Sequence, residues 1–373
     1  MTSPTIAKSR RLRSTIFTSR IEGQGLTKYT VYNKMLLPAQ FSESLIDTYY
    51  HLKKYCQLWD VSVQRVISIT GKDSKKLTQL MTPRDLTNAK IGKCYYCPIV
   101  DDDGYMLNDP IIMKLGEEEW WISIADSDLL LFARGLSIGM NLETKIIELD
   151  SSTLACQGPK SFDIMAKIFG EEIKELKFYN FNYYTFNNHK FLIARSGWSK
   201  AQGFEIYILN DEAGLKLYDE FFKVGDEFHL KPGCPHLIER IEGGLLSYGN
   251  DISPNDTPLE CGFDKYLNLE SDINFLGKEK LIEMKKNGIN KKLMGVKINI
   301  SEIEVTGSLN LFFENKKIGE LRSACFSPKY ETVIGIAMIN KPYFEVGQSF
   351  EINLIDKSNK NIHTGKICEL PFI

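Results

Sequence analysis

Three acidic positions stand on segments that otherwise read as apolar strands: Asp109 in "YMLNDPIIMKL", Glu205 in "GFEIYIL", and the Asn250–Asp251 pair in "SYGNDI". A buried ionised carboxylate is costly unless something meets its charge, so each position needs a partner or a purpose. Along a strand, side chains alternate between faces. Phe204, Ile206 and Ile208 then share a core face, and Glu205, Tyr207 and Leu209 share the other. An ionised carboxylate only accepts hydrogen bonds, so the second face reads as the wall of a cavity for a ligand with N–H groups. Asp109 precedes Pro110, which holds it extended and puts the proline at an edge or bulge. On the residues alone it is equally a structural acid or a functional group aimed into a cleft. Asn250 and Asp251 lie in a turn, where such residues usually cap backbone.

The elements that must position these groups are mixed. "TVYNKMLL" and "RVISIT" read as strands, and "DSKKLTQLM" as a short helix capped by Asp73. "CYYCPIVDDDGYMLNDPIIMKL" reads as a hairpin turning at Asp103–Gly104. "EEWWISIA" is another strand, and Asp126 or Ser127 opens the helix "DLLLFARGLSI". "SSTLACQG" runs as a strand into the Gly158–Pro159 turn before the helix "KSFDIMAKIFG". A lysine- and asparagine-rich stretch near residue 290 is the best linker. Beyond it, "KLMGVKINI", "SLNLFF", "KKIGELRSA", "TVIGIAMI" and "SFEINLI" are short strands that predict a small β-barrel or sandwich.

Composition narrows the function classes. At 373 residues the chain exceeds one ordinary core, so two or three compact units are expected. A net charge of −2 argues against a general nucleic-acid binder, and the basic "KSRRLRST" reads as a solvated or anion-neighbouring arm. No apolar run is long enough for a membrane span, and the N-terminus lacks a secretory apolar stretch, so a cytoplasmic protein is expected. The eight cysteines are scattered rather than spaced as a disulfide framework. Cys94 and Cys97 form a CxxC without a second ligand pair, and no metal is expected. Walker, GxGxxG, GxSxG and HExxH motifs are absent, which removes the usual hydrolase, kinase and nicotinamide readings.

Several segments, in order, resemble the folate-dependent aminomethyltransferases of the glycine-cleavage T-protein family. The signature "RTGYTGEDGFEI" of that family aligns without gaps on "RSGWSKAQGFEI", Arg195 to Ile206. "WDVS", "QGPKS", "RIEGGLLSYGNDI", "INFLGKEKL" and "IGELRSACFSP" extend the likeness nearly to the C-terminus. "SRRLRSTIFTSR", "YTVYNKMLLP", "LWDVSVQR", Leu80 to Leu86, "WISIADSD" and "CPHLIERIEGG" resemble its dimethylsulfoniopropionate demethylase branch. T-proteins proper tend to carry "DVSHM" where Asp60 to Gln64 stands, and an asparagine near Ala125–Asp126.

The resemblance implies an α+β, three-domain, ring-like fold around a tetrahydrofolate site. Residues 1–290 would form a folate-binding region of two intertwined subdomains, and residues 291–373 a C-terminal β-barrel. It implies methyl transfer from a sulfonium to N5 of tetrahydrofolate, with dimethylsulfoniopropionate as donor and methylthiopropionate as product. Glu205 would hold the pterin N–H edge, with Trp198, Tyr207 and His236 beside the cofactor. Asp109 aligns with the T-protein catalytic aspartate and would orient the folate or accept the N5 proton. Trp198 and Tyr207 are candidates to face the sulfonium cation. Lys34, Arg13 or Arg20 would meet the substrate carboxylate. His236 stands where T-proteins carry a folate-proximal arginine, which leaves a related sulfonium or betaine donor open. A glycine-cleavage aminomethyltransferase and a non-catalytic folate-binding protein are the alternatives. The expected partner is a small-molecule sulfonium, with no nucleic acid or membrane; a homodimer is possible.

Overall fold

The computed structural model describes residues 8–354 and 362–372. The Gly203–Ile208 strand is an inner member of a six-stranded sheet. In spatial order the sheet runs Phe181–Phe186, His189–Ala194, Gly203–Ile208, Ser152–Gln157, Gln57–Asp60 and Lys231–Gly233. Phe204, Ile206 and Ile208 are sealed in a core against the helices Ser161–Phe169 and Asp211–Gly225. Burial of each such side chain is worth roughly 1.5–3 kcal/mol, which pins the register. On the opposite face, Tyr207 packs with Val66, Met113 and Trp121 of a second sheet. Leu209, expected on that face, is instead 56% exposed. The strand stops at Ile208 because Asn210 turns the chain into the next helix, its side chain accepting the Ala213 N–H at 2.9 Å.

The second sheet has five strands in the order Lys145–Glu148, Val66–Thr70, Glu119–Ser123, Ile111–Gly116 and Lys93–Tyr96. The hairpin around Asp103–Gly104 forms, and Gly104 supplies the φ of +85° its turn needs. Its ladder is broken into an outer pair, Lys93–Tyr96 with Ile111–Gly116, and an inner pair, Ile99–Val100 with Met106–Asn108. Pro98 and Pro110, lacking N–H donors, fall at the break. Asp109 lies there too.

Other local expectations shift. "TVYNKMLL" is two strands, Leu26–Tyr32 and Met35–Phe41, joined at Asn33–Lys34, both with positive φ. Asp73 sits at the N-cap of Ser74–Leu80 but spends its carboxylate on the Glu143 N–H at 2.8 Å. The helix Leu129–Gly139 opens at Asp128. Asp126 is drawn away by the Asn33 N–H at 2.7 Å, and Ser127 by the Asn108 amide, also at 2.7 Å.

The C-terminal strands close into a six-stranded barrel: Lys291–Ile298, Thr332–Asn340, Lys316–Ser327, Leu309–Phe313, Ser349–Asn353 and Ile362–Cys368. Closure leaves no free sheet edge. The "SFEINLI" reading ends on Ile355, outside the described residues. Ile334, Ile336 and Met338 of the barrel share a core with Ile238, Ile241 and Tyr248, which ties the barrel to the remainder. Among the described residues no helix is long and apolar enough to cross a membrane.

Candidate active site

Glu205 lies between two alanines, Ala155 on one neighbouring strand and Ala194 on the other. These small side chains leave room around a carboxylate that is itself only 4% exposed. Ser196 donates its hydroxyl to it, and no Lys, Arg or His reaches ion-pair distance among the described residues. Burial raises the Glu205 pKa, and the Ser196 hydroxyl and Gln64 amide only partly counter that rise. The loop carrying Ser196 is fixed by Gln157, whose amide donates to the Ser196 carbonyl at 3.2 Å and accepts the Ser199 hydroxyl at 2.7 Å. A Cβ on Gly197 would strike that amide at 2.1 Å, so the approach requires glycine. On the same face the Tyr207 hydroxyl is buried beside Ser123, and Thr153 Oγ1, on the adjoining strand position, has no hydrogen-bond partner among the described residues.

Asp109 is the second acid. Tyr96 donates its hydroxyl to Asp109 Oδ2 at 2.8 Å. Burial pushes the Asp109 pKa up to about 7; the Tyr96 hydrogen bond opposes this rise and the charge of Asp251 adds to it. Tyr96 packs edge-on against Phe263 and Tyr266, with centroids at 5.6 and 5.1 Å. Tyr179 lies within electrostatic reach of Glu205, of Tyr266 and of Tyr96.

The remaining candidates are dispersed around this pair. Trp198 is half-buried, and Arg240 occupies a position over its ring, 5.6 Å from the centroid. The Tyr207 ring is buried edge-on to Trp121 at 6.4 Å, and no ring contact joins it to Trp198 among the described residues. His236 is buried at the N-cap of Leu237–Glu242, with Nε2 at 3.1 Å from both the Leu45 carbonyl and the Thr48 hydroxyl. Burial lowers its pKa to about 4, so it is neutral near pH 7. Lys34 sits in an exposed turn, 3.6 Å from Asp128. Arg13 pairs with Glu148 at 2.9 Å and Arg20 with Asp219 at 2.7 Å. Cys94 belongs to the Tyr207 core and Cys97 to a separate one.

Reasoning from sequence missed Tyr96, Ser196 and the Arg240–Asp251 pair. Arg240 Nη1 reaches Asp251 Oδ2 at 2.6 Å, Arg240 Nη2 donates to Ser323 Oγ at 2.8 Å, and Asp251 also accepts the Ser247 N–H at 2.8 Å. Asp251 thus caps its turn and neutralises an arginine at once. Tyr96 was reachable from the hairpin register, since Tyr96 opposes Ile111 and Pro98 would oppose Asp109. Positions 96 and 98 share a face, so Tyr96 is the diagonal neighbour of Asp109.

The residues present fit a reduced pterin. A buried carboxylate with no protein cation among the described residues suits its N–H edge. The family description "GCVT N-terminal domain" matches residues 17–271, and "Glycine cleavage T-protein C-terminal barrel domain" matches residues 291–373. The chain is 39% identical to Dimethylsulfoniopropionate demethylase DmdA of Ruegeria pomeroyi, over 94% of this chain and 96% of that protein. It is 31% identical to the Aminomethyltransferase of Bacillus cytotoxicus, over 87% of this chain and 90% of that one. Its fold superposes on the glycine cleavage system aminomethyltransferase T of Bartonella henselae with a TM-score of 0.87, at 21% identity, covering 97% and 98% of the two chains. The chain belongs to the glycine-cleavage T-protein family of tetrahydrofolate-dependent one-carbon transferases.

Proposed function

We propose that the protein demethylates dimethylsulfoniopropionate, with tetrahydrofolate as methyl acceptor. The observation that carries the acceptor half is Glu205, a buried carboxylate whose charge no protein cation answers among the described residues. The donor half rests on the 39% identity to the Ruegeria demethylase across nearly the whole chain.

When bound, tetrahydrofolate supplies N5 as the nucleophile. Glu205 accepts from the pterin N–H groups and fixes the ring. In the transfer the methyl carbon would pass from sulfur, which would keep the S–CH3 electron pair, to the acceptor amine, which would give up one proton. Asp109 would orient the folate or take that proton; a carboxyl titrating at about 7 is partly ionised at neutral pH and not so acidic that it refuses a proton, which favours the second role. Tyr96 holds it in place. A sulfonium is already an activated donor, so positioning in a dry site supplies most of the remaining barrier reduction.

Glycine-cleavage aminomethyl transfer is the second reading, favoured by the 31% identity to the Bacillus enzyme. One assay separates them. The protein is incubated with tetrahydrofolate and dimethylsulfoniopropionate, with glycine betaine as control donor, and 5-methyltetrahydrofolate and methylthiopropionate are quantified. Equimolar formation of both products with the sulfonium is expected; a rate no greater than with betaine overturns the assignment.

A further inference from the structure

We infer that Arg84 is the receptor for a carboxylate at this site, a role for which Lys34, Arg13 and Arg20 are poorly placed. Those three cations are already engaged with Asp128, Glu148 and Asp219. Arg84 differs from them: it is half-buried, and no acid lies within ion-pair distance among the described residues. Its sequence neighbour Asp85 is turned onto its own loop, accepting the Thr87 N–H at 2.8 Å.

The side chain is held as a preformed fork. Arg84 Nη1 donates to the Tyr96 carbonyl at 2.6 Å, while the guanidinium lies over the rings of Tyr95 and Tyr266, 5.3 and 5.2 Å from their centroids. The backbone beneath is clamped by Gln79, whose amide donates to the carbonyls of Thr82 and Arg84 at 3.1 and 2.9 Å and accepts the Leu86 N–H at 2.8 Å. Nε and Nη2 have no protein acceptor among the described residues, so the edge suited to a bidentate carboxylate is free.

Its location links it to both acids. Tyr266, under the guanidinium, also packs on Tyr96, whose hydroxyl holds Asp109. Tyr179 feels the charges of both Arg84 and Glu205. A guanidinium bonded to the Tyr96 carbonyl, with the Tyr96 hydroxyl on Asp109, suits a ligand that reacts beside Asp109 and ends in a carboxylate. Under the function proposed above, on which the ligand identities rest, two carboxylates qualify: the glutamyl tail of the folate and the propionate end of the sulfonium.

The test measures binding by titration calorimetry, without turnover, on the wild type, Arg84→Gln and Arg84→Lys. Tetrahydrofolate is compared with 6-methyltetrahydropterin, which lacks the tail, and dimethylsulfoniopropionate with its methyl ester. Arg84→Gln is expected to lower the preference for one carboxylate-bearing ligand over its partner by roughly 10- to 100-fold, with Arg84→Lys intermediate. Loss confined to the folate pair assigns the tail; loss confined to the sulfonium pair assigns the substrate. Unchanged ratios for both pairs in a variant with wild-type thermal unfolding overturn the inference. Arg84→Lys keeps a cation in place if the glutamine variant does not fold. Failure of the sulfonium to bind the wild type would instead count against the donor assignment, leaving the folate comparison to judge Arg84.

Discussion

Asp256 is met by Arg322 at 2.5 Å and Lys291 at 2.6 Å. Burial pushes its pKa up, but those two hydrogen-bonded cations outweigh it and hold the carboxyl below the usual range. Glu205 is buried just as deeply and has a serine for company, so its pKa goes up. Asp251, opposite Arg240, belongs with Asp256; Asp109, opposite Tyr96, belongs with Glu205. The first pair of acids ties the barrel to the rest of the chain, since Arg322 and Ser323 are barrel residues. The second pair is met by neutral donors alone, with no protein cation at ion-pair distance among the described residues. The difference separates acids that hold the fold from acids to which the proposed function gives the chemistry.

The sharpest way to break this division is to remove a cation from the structural side. Arg240→Met leaves Asp251 buried and unpaired, and should cost about 3–5 kcal/mol of stability. Denaturant unfolding measures it, and adding Asp251→Leu should restore much of the loss. A cost under about 1 kcal/mol would mean that the pair is ornamental.

On the other side the sign should reverse. Glu205→Gln should weaken tetrahydrofolate binding roughly 10- to 100-fold, because one acceptor oxygen becomes a donor facing N–H groups. The ligand-free protein should be at least as stable as before. Unchanged folate affinity by fluorescence titration would remove Glu205 from the site.

Asp109→Asn gives a smaller stability change than the loss of Arg240, and a diagnostic pH dependence. With its folded pKa raised to about 7, the native state holds a proton that the unfolded chain has released. Wild-type stability therefore falls as pH rises from the ordinary aspartate range to about 7, and the penalty is complete above it. The asparagine variant lacks that slope and should be more stable at pH 8, by roughly 1–2 kcal/mol after allowance for residual solvation. Its activity should drop and lose the rise through pH 7 expected of a base. Parallel unfolding curves for both proteins across pH 4–8 would contradict the raised pKa.

What the sequence disclosed follows from how local each signal is. The two faces of the Glu205 strand, the Asp103–Gly104 turn and the barrel strands are short-range patterns, and they emerged from alternation and turn chemistry. Asp126 and Asp73 were misread because a distant backbone N–H, from Asn33 in one case and Glu143 in the other, claimed a carboxylate that local rules give to a helix start. The Arg240–Asp251 pair was invisible for a related reason. Asp251 satisfies its own turn locally, and nothing in "SYGNDI" announces that Ser323, far along the chain, will complete the arginine's bonds. The site acids could be found as oddities on apolar strands; Tyr96 needed the hairpin register carried one step further.

The two-faced strand at Gly203–Ile208 also governs how such a protein could acquire a new substrate. Positions 204, 206 and 208 are locked into one core and Tyr207 into a second, which leaves Glu205 as the one charged side chain of the strand. Under the proposed function, substitution at position 205 could retune ligand chemistry while the sheet's scaffolding stays as it is, so this architecture separates innovation from foldability at single-residue spacing.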